Sequence, residues 1–373
     1  MAEKHLHIVS FDVPFPADYG GVIDVFYKMK ALHAAGVKVH LHCFAYGRES
    51  KEELKEYCEE VFYYPRNMNR SLLIHPLPFI VVSRQHDALL KHLKNDEYPI
   101  LFEGLHCAYY LDHPELKGRD RFLRSHNIEH HYYRALASQE PSWIKKRYLK
   151  REAKKLERFE VLLKQATALF AISPSDVEHL KKWNKRVNWI PPFHANDELA
   201  LNGKKEPYAL YHGNLSVMEN ERAAQFLIDE VCIDPSMPLK IFGNGVSKKL
   251  KKKINEKAHI SLIEGDGALL LELLKKAQVN ILPTFQSTGM KLKLLFSLYN
   301  GGHCLVNKPM VEGTGLESTC KVAADAESMR LALGELWTEA FTDNAFEQRK
   351  KLLQESFSNQ SHAQELIEKI FGS

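Results

Sequence analysis

The chain has 373 residues, a length that suits about two domains, and an ordinary globular composition of 45% hydrophobic and 26% charged residues. Its 51 basic and 47 acidic residues leave a formal net charge of +4, too mild an excess to indicate nucleic acid. Six cysteines with no C-x-x-C pair and no regular spacing read as reduced thiols, which sets aside a disulfide framework or a cysteine-based zinc site.

The opening residues, MAEKHLHIVSFDVPFP, lack the apolar core and small-residue cleavage site of a secretory signal. No apolar run approaches the roughly 18 residues that cross a bilayer. A cytoplasmic location is expected, with peripheral contact at the inner face of the membrane left open.

The chain begins with a short apolar strand, His5 to Phe11, followed by helical periodicity from Val22 to Ala35 that ends at Gly36. The loop between them, Phe11-Asp-Val-Pro-Phe-Pro-Ala-Asp-Tyr-Gly-Gly-Val22, is stiffened by prolines. Gly20-Gly21 allow close backbone approach where the helix starts, so the loop reads equally as a ligand loop or a plain tight turn. It is not the G-x-G-x-x-G dinucleotide fingerprint, and no acidic residue closes the second strand near Phe44, which disfavours a nicotinamide enzyme.

Further strands are predicted at Val37 to Phe44, Ile100 to Phe102, Arg121 to Arg124, Ala168 to Ile172 and Val187 to Ile190. Two of them end in titratable groups, Glu103 and His106 after one and His126 and Glu129 after the other, where proton exchange near neutral pH is chemically accessible. His130 and His131 are expected to face solvent or to pack on Tyr132-Tyr133. No H-E-x-x-H or comparable spacing occurs, so no protein-held metal is expected. Lys145 to Arg158 reads as a solvated basic helix with i,i+4 glutamates, and anionic lipid headgroups are the minority reading.

Pro191-Pro192 and a polar segment, His194 to Pro207, punctuate the chain. A second β-α series follows, with strands at Tyr208 to His212, Leu239 to Phe242, Ile260 to Ile263, Val279 to Leu282, His303 to Val306 and Ser318 to Val322. Repeated β-α alternation implies parallel sheets, here two open α/β sheets joined near residue 195, with ligands beyond the carboxyl ends of the strands. Glycines follow three of the second-half strands: Gly213 before Asn214, Gly243 in Phe242-Gly-Asn-Gly245, and Gly289. The last lies in Pro283-Thr-Phe-Gln-Ser-Thr-Gly-Met-Lys-Leu-Lys-Leu-Leu-Phe296, a strand–loop–helix start. There helix N–H groups, Lys291 and Lys293 suit a diphosphate.

Together these junctions resemble the GT-B glycosyltransferases, especially family 4. The resemblance rests on Pro14-Phe-Pro with Gly20-Gly21, on Ser125-His126-Asn-Ile-Glu-His-His-Tyr-Tyr133 and on Ala171-Ile-Ser-Pro-Ser-Asp176. It rests also on His212-Gly-Asn-Leu with Glu219-Asn220, on Phe242-Gly-Asn-Gly245 and on Thr288-Gly-Met-Lys-Leu-Lys-Leu-Leu295. It implies an α/β GT-B fold with two Rossmann-like domains facing across a central cleft. Residues 1–195 would form the acceptor domain and 196–345 the nucleotide-sugar donor domain, with a C-terminal helix over 346–373 packing back on the first.

The implied activity is transfer of a hexose from a nucleotide-diphosphate sugar to a hydroxyl of a glycan, lipid-linked sugar or glycoprotein, without metal or resident cofactor. By the same resemblance, His126 would touch the transferred sugar and Lys291 would clamp the diphosphate as catalytic residues. Gly20, Gly21, Gly213, Asn214, Gly243, Gly289 and Lys293 would lie at the donor, and Glu103, His106 and Glu129 at the acceptor or sugar. The family's E-x7-E glutamates are replaced by Thr288 and Phe296. Glu264 and Glu312 are candidate substitutes for the ribose contact. The missing pair also keeps two rivals in view: a non-catalytic partner of another transferase, and a sugar-nucleotide epimerase drawing on Asp18, Glu103 and Glu129.

Overall fold

A computed structural model describes residues 3–196, 198–199, 204–285 and 291–372. The chain divides into two compact units. The first holds Met1–Ala195 and Phe357–Ser373, and the second Asn196–Ser287 and Lys291–Ser356.

The first unit is built on a seven-stranded parallel sheet in the order β3-β2-β1-β4-β5-β6-β7. Its strands are β1 (Lys4–Ser10), β2 (Val37–Ala45), β3 (Glu60–Pro65), β4 (Ile100–Glu103), β5 (Arg121–Ser125), β6 (Ala168–Ala171) and β7 (Val187–Trp189). β3, which sequence reading missed, is an edge strand whose half-exposed residues show no clean alternation and which ends at Pro65. The strand order reverses between β1 and β4, the point where open α/β sheets bind ligands.

Alternation along β1 and β2 sends side chains to two different cores. Leu6, Ile8, Val39 and Leu41 face the layer that holds α1 (Gly20–Ala34) through Phe26, Met29 and Leu32. Val9 and Phe44 face the other layer, with Phe102, Leu123 and Leu169. On that second face the amino-terminal ends of the strands carry imidazoles instead of hydrocarbon. His7 Nε2 lies 3.0 Å from Asp96, its Nδ1 2.8 Å from His42, and His42 Nδ1 2.8 Å from the Tyr64 hydroxyl, which reaches His92 at 2.7 Å. Buried polar rings persist there because each finds a partner. α1 buries Val22, Asp24, Val25, Phe26, Lys28, Met29 and Leu32, a helical-period face that includes a charged i,i+4 pair, and it stops before Gly36, whose φ of +84° suits a residue without a Cβ.

The second unit is a six-stranded parallel sheet, β10-β9-β8-β11-β12-β13, with the reversal between β8 and β11. Its strands are β8 (Glu206–His212), β9 (Leu239–Phe242), β10 (Ile260–Ile263), β11 (Ala277–Leu282), β12 (His303–Asn307) and β13 (Lys321–Ala323). Tyr208, Leu210, Phe242, Leu273, Leu274 and Ala277 pack together in one of its apolar clusters.

The C-terminal segment forms two helices instead of the single one expected over 346–373. Asp343–Ser356 belongs to the second unit and Asn359–Phe371 to the first. Ser358 breaks them apart as an N-cap, its hydroxyl accepting from the Ser361 amide. Ala363, Leu366, Ile367 and Ile370 of the last helix join the core around α1, where truncation of one buried leucine costs about 2–5 kcal/mol. At the junction, the His194 amide donates to Asn359 Oδ1 (3.1 Å), the Asn359 amide side chain donates to the His194 carbonyl (2.7 Å), and His194 Nε2 donates to the Phe357 carbonyl (2.8 Å).

Candidate functional site

In the first unit the predicted residues converge at the carboxyl ends of β1, β4 and β5. Glu103 closes β4 and His126 follows β5, with His126 Nε2 2.9 Å from Glu103 Oε2. Behind them sits a buried network that sequence reading did not identify. Lys28 Nζ lies 2.7 Å from Glu103 Oε1 and 3.1 Å from Asp24 Oδ2. Arg124 grips both oxygens of Asp24 at 2.6 and 2.7 Å, and the Phe193 amide donates to Asp24 at 2.8 Å. Burial alone would raise these carboxyl pKa values. Arg124 and Lys28 instead hold Asp24 well below the carboxylate range, and Lys28 and His126 hold Glu103 below it. With Glu103 ionised, the His126 ring is fixed by its Nε2–H donation.

The surrounding glycines explain themselves by contact. A Cβ on Gly21 would lie 2.6 Å from the Phe11 ring, and one on Gly104 would lie 2.8 Å from His106 Nδ1 at a φ of +74°. The Phe11 ring in turn sits 5.4 Å from both His106 and His126. Gly21, His106, Glu103 and His126 are therefore one packed patch, while Gly20 opens α1 on its exposed side. Glu129 Oε1 stands 3.9 Å from His106 Nδ1. Burial raises Glu129 to about 8, opposed by Arg84, and pushes His106 well below its ordinary value, helped by Arg84. At neutral pH the glutamic acid is a proton donor and the imidazole is uncharged. Asp18, considered for acid–base work, is ion-paired with Arg48 on the surface.

His130 departs from expectation. It is buried rather than solvent-facing, with Nδ1 2.6 Å from Glu160 Oε1, while His179 and the Trp183 indole bind the other Glu160 oxygen at 2.9 and 3.2 Å. His131 does face solvent. Two clusters, Asp24–Glu103–His126 and His130–Glu160–His179, bring ligand-type atoms within 4.8 Å of one another. In the first, Lys28 and Arg124 already neutralise both carboxylates. In the second, Glu160 accepts three N–H donors.

In the second unit, β8 ends at His212, and Gly213 and Asn214 turn the chain into α2 (Met218–Phe226). The Asn214 side chain is spent on this turn, accepting from Ser216 N and Oγ at 3.0 and 2.6 Å. A Cβ on Gly243 would stand 2.0 Å from the Gly213 carbonyl, so the turns after β8 and β9 are pressed backbone to backbone. Lys291 occupies the N-cap position of α3 (Leu292–Asn300), a helix start with no side-chain cap. Lys293 donates to Asn220 Oδ1 at 2.9 Å and lies 5.2 Å over the Tyr211 ring.

Burial brings both lysines down to about 8. Glu219 opposes the shift in each, and Lys291 adds to it in Lys293. Glu219 belongs to the His212-Gly-Asn-Leu…Glu219-Asn220 junction on which the resemblance rests. One of its oxygens accepts from the Thr284 hydroxyl (2.7 Å) and the Phe285 amide (2.6 Å), tying the loop after β11 to the start of α2. His212 is held neutral, pushed to about 3 by burial and by Lys293, and meets Ser297 at 2.8 Å. Phe296 turns its ring toward His212. Thr288 and Gly289 lie outside the described residues. Glu264 and Glu312, the candidate substitutes, are exposed and ion-paired with Lys251 and Lys308.

No protein-family model matches the chain. An uncharacterised 44.6 kDa protein in the cps region of Klebsiella pneumoniae is 29% identical over 330 residues, 83% of this chain and 84% of that protein. Similar solved structures include WaaG, a glycosyltransferase involved in lipopolysaccharide biosynthesis (13% identity, TM-score 0.66, 99% of this chain and 100% of that one). TarM (8%, TM-score 0.70, 99% of each) is another. A third is a trehalose-6-phosphate structure from E. coli bound with UDP-2-fluoro glucose (11%, TM-score 0.65, 98% and 99%). At such identities the likeness establishes the fold: this chain has the two-domain, Rossmann-like GT-B fold that its junctions resemble.

Proposed function

We propose that the chain is a glycosyltransferase that moves a hexose from a nucleotide-diphosphate sugar to a hydroxyl of a glycan, lipid-linked sugar or glycoprotein. The observation that carries the reading is the pair of partly buried lysines, Lys291 and Lys293, at the head of α3 beyond β11. Two ammonium groups against the carboxylate of Glu219 give a positive excess where a departing diphosphate needs it, and the amino end of α3 adds its dipole. Lys291 clamps the diphosphate; Gly213 and Gly243 let backbone approach it. This electrostatic work requires no metal and no resident cofactor. Each remaining role follows the resemblance: Gly20 and Gly21 lie along the donor or acceptor, His126 contacts the transferred sugar, and Glu103, His106 and Glu129 surround the acceptor hydroxyl.

The names of the similar proteins support this class. They include a lipopolysaccharide glycosyltransferase, an enzyme structure holding a UDP-sugar analogue and a protein of a cps region, which favours surface-glycan biosynthesis. Peripheral attachment to the inner face of the membrane fits the basic helix Trp143–Phe159, whose first residues, Trp143 and Ile144, are 70% and 63% exposed. No helix among the described residues is long and apolar enough to cross a membrane.

A thermal-shift screen with UDP, GDP, dTDP and their sugars tests the reading, since a bound ligand adds stability as RT ln(1 + [L]/Kd). One nucleotide should stand out, and its sugar should release nucleoside diphosphate when acceptor is present. A folded protein that no nucleotide stabilises, and that turns over no donor, would transfer the case to a non-catalytic GT-B partner.

A further inference from the structure

Two arginines of the first unit, Arg66 and Arg84, are anchored on adjoining segments at the ligand-facing end of its sheet, near enough for the charge of one to act on the other. Arg84 is only 6% exposed. Its Nε donates to the carbonyl of Phe11, just past the end of β1, at 3.0 Å, and its Nη1 donates to the Ile80 carbonyl at 2.7 Å. Arg66 follows β3. Its Nε donates to Ser83 Oγ, one residue before Arg84, at 3.0 Å, and its guanidinium lies 5.0 Å from the Tyr46 ring and 5.5 Å from the Phe79 ring. Backbone carbonyls and aromatic faces thus fix both planes in advance.

Neither guanidinium makes an ion pair with a carboxylate among the described residues, and Arg84 Nη2 and both terminal nitrogens of Arg66 make no hydrogen bond there. The nearby acids are otherwise engaged. Asp12 accepts from the Val13 amide and the Tyr19 hydroxyl, and Glu129 stays protonated at neutral pH. Burial, with the Arg66 charge adding to it, lowers Arg84 to about 10. The charge of Asp12 reaches both arginines without an ion pair to either, so a buried Arg84 with a half-buried Arg66 beside it carries a cost that a ligand of opposite charge would offset.

We infer that Arg66 and Arg84 form an anion site in the first unit that takes a phosphate group carried by the acceptor. Two fixed guanidinium forks match two positive charges and several N–H donors to a tetrahedral dianion, whereas a single carboxylate would leave one charge unmet. The inference rests on the glycosyltransferase reading and adds to it the class of acceptor: a sugar phosphate or a diphosphate-linked lipid, presented at the sheet end where His126 and Glu103 stand.

The test separates this site from the donor lysines. In a Lys291→Ala, Lys293→Ala background, calorimetric titration with inorganic phosphate should still show binding. Adding Arg66→Gln or Arg84→Gln should weaken it about tenfold or more, the scale of one charge-assisted contact. Phosphate binding that ignores both arginine substitutions, or none in the lysine-free background, overturns the site. Should Arg84→Gln fail to fold because it anchors Phe11 and Ile80, the half-buried Arg66→Gln decides alone. Glucose 1-phosphate and farnesyl diphosphate distinguish the two sources. Tighter binding of either than of glucose supports the site and names its source, while neither exceeding glucose sinks it. Nucleoside diphosphate affinity in the single arginine variants should match the parent. Its absence from the parent itself, with phosphate binding intact, would fault the donor reading and not this one.

Discussion

The ionic clusters of the two units solve opposite problems. In the first, Asp24, Glu103, Lys28 and Arg124 balance two acids against two bases, and the groups are locked by bonds of 2.6–3.1 Å in full burial. That arrangement holds His126 in place and has little left to offer a ligand. In the second, Lys291 and Lys293 share the influence of Glu219 and are pulled toward neutrality by burial. One cluster is a finished scaffold, and the other sets two cations against the single acid Glu219, the imbalance on which the proposed diphosphate site rests. Charge in a protein interior can thus serve position or binding, and the local balance of signs tells which.

Breaking each cluster should produce opposite signatures. The largest effect is expected from Asp24→Ala, which leaves Arg124 and Lys28 with Glu103 as their remaining acid in this network. Stability should fall by about 3–5 kcal/mol, read by denaturant unfolding. Lys291→Ala should remove about 2–4 kcal/mol of transition-state stabilisation while the thermal midpoint stays nearly unchanged. A drop in midpoint comparable to that of Asp24→Ala would erase the distinction between the clusters.

Acidity sharpens the same contrast. The lysines have folded-state pKa values near 8, below the ordinary 10.5, so their charging costs the folded state stability as pH falls from 10.5 toward 8. A diphosphate favours the charged forms. Nucleotide affinity should therefore fall as pH rises through about 8, and binding there should take up protons, visible as a buffer-dependent calorimetric enthalpy. Proton release on binding would contradict the placement of the lysines.

Glu129 works in the reverse sense, its pKa raised from 4.5 to about 8. The folded state keeps the proton while the unfolded chain loses it, so this contribution is full below pH 4.5 and is lost as pH rises toward 8. Glu129→Gln should flatten that slope and leave the protein as stable as the parent, or slightly more so, at pH 8. A pH–stability profile identical to the parent's would show that Glu129 ionises normally.

Strand-and-glycine junctions were readable because tight turns and apolar runs are local properties. Gly213 and Gly243 were chosen from a strand followed by a glycine, and their backbones do meet. Asp24 and Lys28 escaped notice because an i,i+4 acid–base pair on a helix is indistinguishable in sequence from a solvent-exposed pair. Only the burial of that face of α1 separates the two cases. Arg124 lies in a strand whose partners are 100 positions away at Asp24, a pairing no local pattern encodes. Asn214 was legible as a turn residue but not as one whose side chain is consumed by that turn, and β3 was hidden by its edge position.

The hydrogen bonds between His194 and the Phe357–Asn359 segment join two places where the chain passes between units. In connectivity, residues 196–356 are a guest inserted into a host whose own chain is interrupted between Ala195 and Phe357. The interrupted ends are already stitched side by side, so the host's integrity does not depend on the guest for closure. A spliced protein joining Ala195 to Phe357 through a few flexible residues should fold cooperatively on its own, monitored by circular dichroism. One ending at Ala195 should not, because the apolar face of α1 would lose Leu366, Ile367 and Ile370. The guest is then exchangeable in principle without rebuilding the host.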